Sequence, residues 1–286
     1  LGRTSADLIG KSIWVEFAPA VGSPFEVHYH RALETNEPQT FEAPYEPLGG
    51  WFEVRAYPGP DGLAVVDKAA GWTSHDVVAK ARGLLGTRKV GHSGTLDPDA
   101  TGVLLLGVGR VTRLLRYLGL TTKQYTGVVV LGSSTSTLDA SGEVTGQWDM
   151  RHVGLDDVRA AAAALTGDIL QVPPMVSAIQ VDGRRLHELA REGIEVERAP
   201  RPVTVHRFTV DAATEPGCFP IAVTCSSGTY IRSLADDLGR ALGGGAHLRD
   251  LRRTAIGSFT DAEAVALEAL TPERLLTPAP AMRDLV

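Results

Sequence analysis

The sequence is poor in cysteine, in aromatic residues and in long apolar runs, and it carries no excess of positive charge. Its 286 residues include two cysteines, Cys218 and Cys225. That is too few for a disulfide framework or a cysteine-rich zinc site, so both are expected as buried thiols, with neither bridge nor metal. No apolar stretch approaches the roughly 18 to 20 residues that a membrane-spanning helix requires, so no membrane association is expected. The opening LGRTSADLIG lacks the basic stretch, apolar core and small-residue cleavage site of a secretion signal, which makes a cytoplasmic location the expectation. The formal net charge of −6 argues weakly against nucleic-acid binding, whose electrostatic footprint is usually basic.

The average hides a division. Residues 1–62 hold four basic and nine acidic groups, nine of the 17 aromatics and seven of the 17 prolines. Such a break predicts two units, 1–61 and 62–286. In the first, Tyr29 and Leu33, four apart, suggest a helix over 25–34, and strands are expected at 38–44 and 50–57. This arrangement resembles the later half of a PAS sensor domain, without the early strands that would close a ligand pocket. A loosely docked appendage is the plainer expectation.

From residue 62 onward strands and helices alternate without a repeating β-α unit, which predicts an α+β fold. Strands are expected at 63–67, 103–108, 125–131, 177–181, 203–210 and 220–225. Helices are expected at 74–85, with the Ser74 hydroxyl capping the first turn, and at 155–165, 184–191 and 230–242. A loop is expected over 91–101.

The densest run of unusual residues is GHSGTLDPDATG at 91–102. Its glycines permit positive φ or close approach of another backbone, and Pro98 disfavours helical geometry at Asp97, so a carboxylate is presented on a fixed loop. An ordinary Asp-Pro turn is the competing reading. Further on, Tyr125 opens a strand, Asp139 closes a serine- and threonine-rich turn, and Arg232 sits in the first turn of a helix whose Ile231, Leu234 and Leu238 form a core-facing stripe. A cation in a first helical turn is disfavoured by the helix dipole and calls for an anionic partner, Asp236 at i+4 being the local choice.

Together with VDKAAGWTSHD at 66–76, KQYTG at 123–127, PPMVSAIQVDG at 173–183, GTYIR at 228–232 and LRDLRRTAIG at 248–257, this loop resembles the motifs of TruB-type tRNA pseudouridine synthases. The resemblance covers about residues 62–284. It implies the pseudouridine synthase fold, a mixed, mainly antiparallel sheet flanked by helices around a central RNA-binding cleft. It implies conversion of uridine 55 in the tRNA T-loop to pseudouridine, with Asp97 as nucleophile, Tyr125 beside the target base and Arg232 paired with Asp97. Lys68, His92, Asp139, Arg252 and Arg253 are the implied substrate contacts. With the pairs Arg88–Lys89 and Arg184–Arg185, the basic members of that set are candidates for tRNA phosphates. The resemblance implies no cofactor, since a carboxylate can be the reactive group, and no required protein partner. Attack on the sugar and proton abstraction through a glycal-like intermediate both remain open. The small C-terminal RNA-binding domain of bacterial members is expected to be missing.

Asp99 stands where the family usually has an apolar residue. If it shares a direction with Asp97, like-charge repulsion is expected to raise the Asp97 pKa. Two other readings compete with the enzyme: a catalytically weak tRNA-binding or tRNA-folding protein, and a PAS-like sensor fusion.

Overall fold

The computed structural model of the protein describes residues 13–35, 39–56, 61–181, 183–281 and 283. In chain order the strands are β1 (Gln39–Tyr45), β2 (Gly50–Ala56), β3 (Gly62–Lys68), β4 (Val90–Ser93), β5 (Thr101–Val108), β6 (Lys123–Leu131), β7 (Ser133–Thr135), β8 (Val144–Gln147), β9 (Gly167–Gln171), β10 (Gln180–Val181), β11 (Arg184–Arg185), β12 (Arg201–Val210), β13 (Cys218–Cys225), β14 (Ala246–Ile256), β15 (Phe259–Thr260) and β16 (Val265–Ala266). The helices are α1 (Ile13–Glu16), α2 (Pro24–Thr35), α3 (Ser74–Leu84), α4 (Leu115–Leu118), α5 (Leu155–Ala164), α6 (Leu186–Arg191), α7 (Ile231–Ala241) and α8 (Pro278–Ala281).

Ten strands form one sheet in the order β16-β3-β5-β14-β6-β13-β12-β9, with β4 on β5 and β15 on β14. All pairs are antiparallel except β16 with β3 and β14 with β5, which is the mixed α+β sheet the sequence predicts. The central β5–β14 junction is short, joining Thr101 to Arg252 and Gly102 to Arg253. Gly102 is obligatory there. Its φ is +99°, and an added Cβ would collide with the Arg253 carbonyl, so only a residue without a side chain lets the two backbones meet.

Helix α7 lays Ile231, Leu234 and Leu238 into the core under β6, β13 and β14, as their spacing predicts. Helix α3 covers β3, β4 and β5 through Val77, Val78 and Ala81. Its cap is Thr73 rather than Ser74: Thr73 Oγ1 accepts from Asp76 N at 3.1 Å while Asp76 Oδ2 accepts from Thr73 N at 2.9 Å. Ser74 is buried and faces the next loop. Other expectations shift as well. Residues 91–93 of the expected loop belong to strand β4, the expected strand at 177–181 is reduced to Gln180–Val181, and Arg184–Arg185 form a strand before α6. Cys218 and Cys225 are buried free thiols.

In the N-terminal segment, α2 and the β1–β2 hairpin occupy 24–56 nearly as expected, although Tyr57, Pro38 and the junction at 58–60 lie outside the described residues. Phe25 packs edge-on against Phe41 and Tyr45, at ring-centre distances of 5.6 and 5.7 Å. The hairpin pairs with no other described strand.

Candidate active site

The loop that carries Asp97, residues 94–100 between β4 and β5, is tied down from both sides. At the end of β3, Lys68 is 1% exposed and donates its Nζ to the carbonyls of Ala69, Trp72 and Pro98 at 3.0, 2.6 and 2.9 Å. Burial pushes its pKa down to about 8 against the pull of the Asp97 and Asp99 carboxylates. Ser74 Oγ accepts from Leu96 N at 3.0 Å and donates to Leu96 O at 3.2 Å. From β14, Arg253, also 1% exposed, donates to Gly94 O at 2.9 Å and Val103 O at 2.7 Å. Lys68 and Arg253, expected from the sequence as phosphate contacts, are buried and each donate to a carbonyl of the loop, Pro98 O and Gly94 O. Buried polar hydrogens must find acceptors, and these find them on the backbone that presents Asp97.

Asp97 meets Arg232 through both carboxylate oxygens, with Nε–Oδ2 at 3.0 Å and Nη2–Oδ1 at 3.2 Å. The guanidinium is itself fixed by the carbonyls of Thr137 and Val176, each at 2.8 Å, so three segments converge on one side chain. Its Nε also stands 3.6 Å from Asp139 Oδ2. The local alternative does not hold, because Asp236 pairs with Arg240 at 2.8 Å. Burial pushes the Asp97 carboxyl above the usual carboxylate range, Arg232 pulls it down, and Asp139 pushes it up. The carboxylate that repels Asp97 is thus Asp139 and not Asp99, which corrects the expectation from the loop. Asp139 is held in place by Thr137 Oγ1 and Ser141 Oγ, both 2.6 Å from its Oδ1.

Two hollows meet at Asp97, Arg232 and Leu251. One, of about 260 Å³, is lined on its other sides by Thr95, Lys123, Tyr125, Tyr230 and Arg253. The second, of about 250 Å³, is lined by Asp99, Asp139, Ser141, Arg249 and Asp250. Tyr125 is buried on β6 and accepts from Arg253, and burial raises its pKa. Its phenol is neutral at ordinary pH.

Arg252 binds Asp67 through two nitrogens, at 3.0 and 3.1 Å, and reaches Asp261 at 3.5 Å. Its charge is partnered within the protein by two carboxylates, while a third of the side chain stays exposed. His92 lies on β4 with its ring edge-on to His75 at 5.2 Å, outside the lining of both hollows. Burial, helped by His75 and Arg253, pushes it down to about 4, leaving it neutral with Nδ1 buried and unpartnered. Arg88, Lys89, Arg184 and Arg185 are exposed, Arg184 in a pair with Glu192.

Some site residues escaped the sequence reading. Lys123, its Nζ on Gly119 O and Thr121 O at 2.6 and 2.7 Å, walls the first hollow. Gln171 clamps the Tyr230 backbone with bonds of 2.8 and 3.1 Å, and Leu251 separates the hollows. Lys123 opens the KQYTG motif, where only the tyrosine stood out, and a glutamine on an edge strand carries no spacing signal that marks it. Among the described residues no group of three or more His, Cys, Asp or Glu side chains is placed to hold a metal, and no helix is long and apolar enough to cross a membrane.

A mixed sheet with an arginine-clamped aspartate on a loop beside its central junction is a pseudouridine synthase architecture. Comparison with known proteins agrees. A family model described as TruB family pseudouridylate synthase (N terminal domain) matches residues 82–231, so the chain belongs to that family. A second, described as the tRNA pseudouridylate synthase B C-terminal domain, matches residues 232–278, a stretch that includes Arg232 and β14. The expectation of a missing C-terminal domain did not foresee this match. Curated relatives called tRNA pseudouridine synthase B include those of Rhodococcus jostii, 58% identical over 74% of this chain and 71% of the relative, and Thermobifida fusca, 53% identical over 76% and 77%. Among solved structures, a crystal structure of a Cbf5–Nop10–Gar1 complex matches with a TM-score of 0.58 at 32% identity, covering 74% of this chain and 54% of that one. The matched family models leave residues 1–61 outside their bounds and give the PAS resemblance no support.

Proposed function

We propose that the chain is a tRNA pseudouridine synthase acting on a T-loop uridine at position 55, with residues 62–286 as its catalytic unit and Asp97 as the reactive carboxylate. The observation that carries this reading is the two-point Asp97–Arg232 pair at the meeting of two hollows. The isomerisation breaks the N1–C1′ bond, forms a C5–C1′ bond, releases the C5 proton and returns a proton to N1. It needs no oxidant, reductant or metal to balance. Whether the carboxylate attacks C1′ or takes a proton from the sugar, it must be ionised. Arg232 secures that against burial and Asp139. The base has to leave its stack first, and the hollow walled by Tyr125 and Tyr230 offers aromatic surface to receive it. A cytoplasmic setting is consistent with such a substrate. The test is tritium release from a T-loop RNA containing 5-tritiated uridine: the protein should release tritium, and Asp97→Asn, isosteric but not nucleophilic, should release almost none while binding the RNA nearly as well. Retained turnover in Asp97→Asn would overturn the assignment.

A further inference from the structure

Two residues other than glycine hold a left-handed backbone among the described residues, Leu138 at φ +63° and Asp250 at φ +56°. Aspartate tolerates that region. A bulky leucine is an outlier there, and such strain persists only where the surroundings over-determine it. Both residues border the second hollow: Asp250 lines it, and Leu138 immediately precedes Asp139 in its wall. Backbone bonds tie the two together through Leu248, whose N donates to Leu138 O at 3.0 Å and whose O accepts from Ala140 N at 2.9 Å. The turn is closed from within as well. Leu138 N donates to Thr135 O at 3.1 Å, and Thr135 Oγ1 donates to Asp139 O at 2.6 Å.

The consequence falls on Arg232. Thr137 and Asp139, on either side of Leu138, reach the same guanidinium: Thr137 O accepts from Nη1 at 2.8 Å, and Asp139 Oδ2 stands 3.6 Å from the Nε that also meets Asp97 Oδ2 at 3.0 Å. In an extended strand the carbonyls lie in the plane of the sheet and the side chains stand perpendicular to it. A carbonyl and a carboxylate two residues apart therefore meet one target only if the chain bends between them, and Leu138 is that bend. We propose that Leu138 is a positioning residue of the reaction: its left-handed backbone aims the Thr137 carbonyl and the Asp139 carboxylate at Arg232 together, and so fixes Arg232 against Asp97. The proposal rests on the reading of the protein as a pseudouridine synthase with Asp97 as its reactive carboxylate. The charged groups that face Asp97 are Arg232 from α7, Asp139 from this turn and Lys68 from β3, with Asp99 of its own loop in the same hollow. Lys123 and Arg253 wall the other hollow beside Tyr125 and Tyr230. Of all these, Asp139 is the one that Leu138 carries.

The test compares wild type with Leu138→Asn, Leu138→Ala and Leu138→Val. Asparagine enters the left-handed region readily, alanine meets the same chiral penalty as leucine, and a β-branched side chain is excluded from it. Each protein is measured for its melting midpoint, for single-turnover tritium release from a T-loop RNA, for affinity for that RNA, and for the titration of the Asp97 carboxyl carbon by NMR, the signal being assigned by its loss in Asp97→Asn. Leu138→Asn should melt no lower than wild type. Leu138→Asn and Leu138→Ala should release tritium within about threefold of the wild-type rate, with the wild-type Asp97 titration. Leu138→Val, assayed at a temperature where it is folded, should release tritium at least about tenfold more slowly while binding RNA within about threefold of wild type. Its Asp97 should titrate at lower pH, because the Asp139 carboxylate has swung away. Adding Asp139→Asn to Leu138→Val should then cost little more, since both act through one contact. A lowered midpoint for Leu138→Asn, wild-type turnover in Leu138→Val, or one Asp97 titration shared by every variant overturns the proposal. So do equal losses in all three variants, which would assign the effect to packing of the leucine side chain. If wild type releases no tritium while the Asp97 titration still separates Leu138→Val from Leu138→Asn, the enzymatic reading fails and the control of Asp97 by this turn stands.

Discussion

Arg232 and Asp97 were legible in the sequence as a pair because a cation in a first helical turn needs an anion and the motif supplies one. The third member of the cluster was misassigned. Asp99 follows Asp97 by two and lines the same hollow, but the carboxylate that pushes Asp97 up is Asp139, on a distant turn. This distinction has a pH consequence. A carboxyl whose pKa is raised is protonated at a higher pH than a free aspartate, near 3.9, so activity is expected to fall as pH drops through that raised value. Asp139→Asn removes the upward push and should move the acid limb of the single-turnover rate to lower pH. Asp99→Met should leave the limb where it is. Identical limbs for wild type and Asp139→Asn would show that Asp139 does not control the ionisation.

At the scale of elements, most strands were readable, since β5, β6, β12 and β13 are apolar runs with turn residues at their ends. Strand β14 was not. Its AHLRDLRRTAI reads as a charged surface stretch, yet it is the central strand, because Arg253 turns its charge to the carbonyls of Gly94 and Val103 and Arg252 to Asp67 and Asp261. Propensity and charge patterns see the residue type and not the acceptors that folding brings to it. The β5–β14 junction should be correspondingly sensitive. Gly102→Ala places a Cβ against the Arg253 backbone at a φ of +99°, which should cost on the order of 3 kcal/mol through strain and displaced packing. A fall in the urea midpoint together with a lower turnover rate is the expected result, and an unchanged midpoint would mean that the two strands separate freely there. Lys68→Met leaves the carbonyls of Ala69 and Trp72, in the turn after β3, and of Pro98, on the Asp97 loop, without their donor and should cost about 2 to 4 kcal/mol. Its turnover at saturating RNA should fall more steeply than its affinity, since the loop presents Asp97 and contributes little of the binding surface.

On the scale of the whole molecule, the break in composition near residue 62 falls between the β1–β2 hairpin and β3. The aromatic residues of the first segment pack on one another: Trp14 on Tyr29 at 5.9 Å, Phe17 on Tyr45 at 6.4 Å, and Phe25 on both Phe41 and Tyr45. The catalytic sheet begins at β3, and every residue that holds or lines the Asp97 site lies beyond residue 62. Deleting residues 1–60 should therefore leave turnover at saturating RNA unchanged, and it keeps Asp61, which anchors Arg110 at 2.6 Å. The same deletion removes most of the net negative charge, because residues 1–60 carry eight acidic groups against four basic ones. Affinity for tRNA should then rise modestly at low salt, and the gain should fade as added salt shortens the screening length from about 30 Å at 0.01 M to about 10 Å at 0.1 M. Parallel titrations of the full chain and the truncated form at those two ionic strengths decide the matter. A folded truncation that has lost turnover would give the N-terminal segment a part in the reaction, and equal affinities at low salt would mean that its charge stands too far from the bound RNA to be felt.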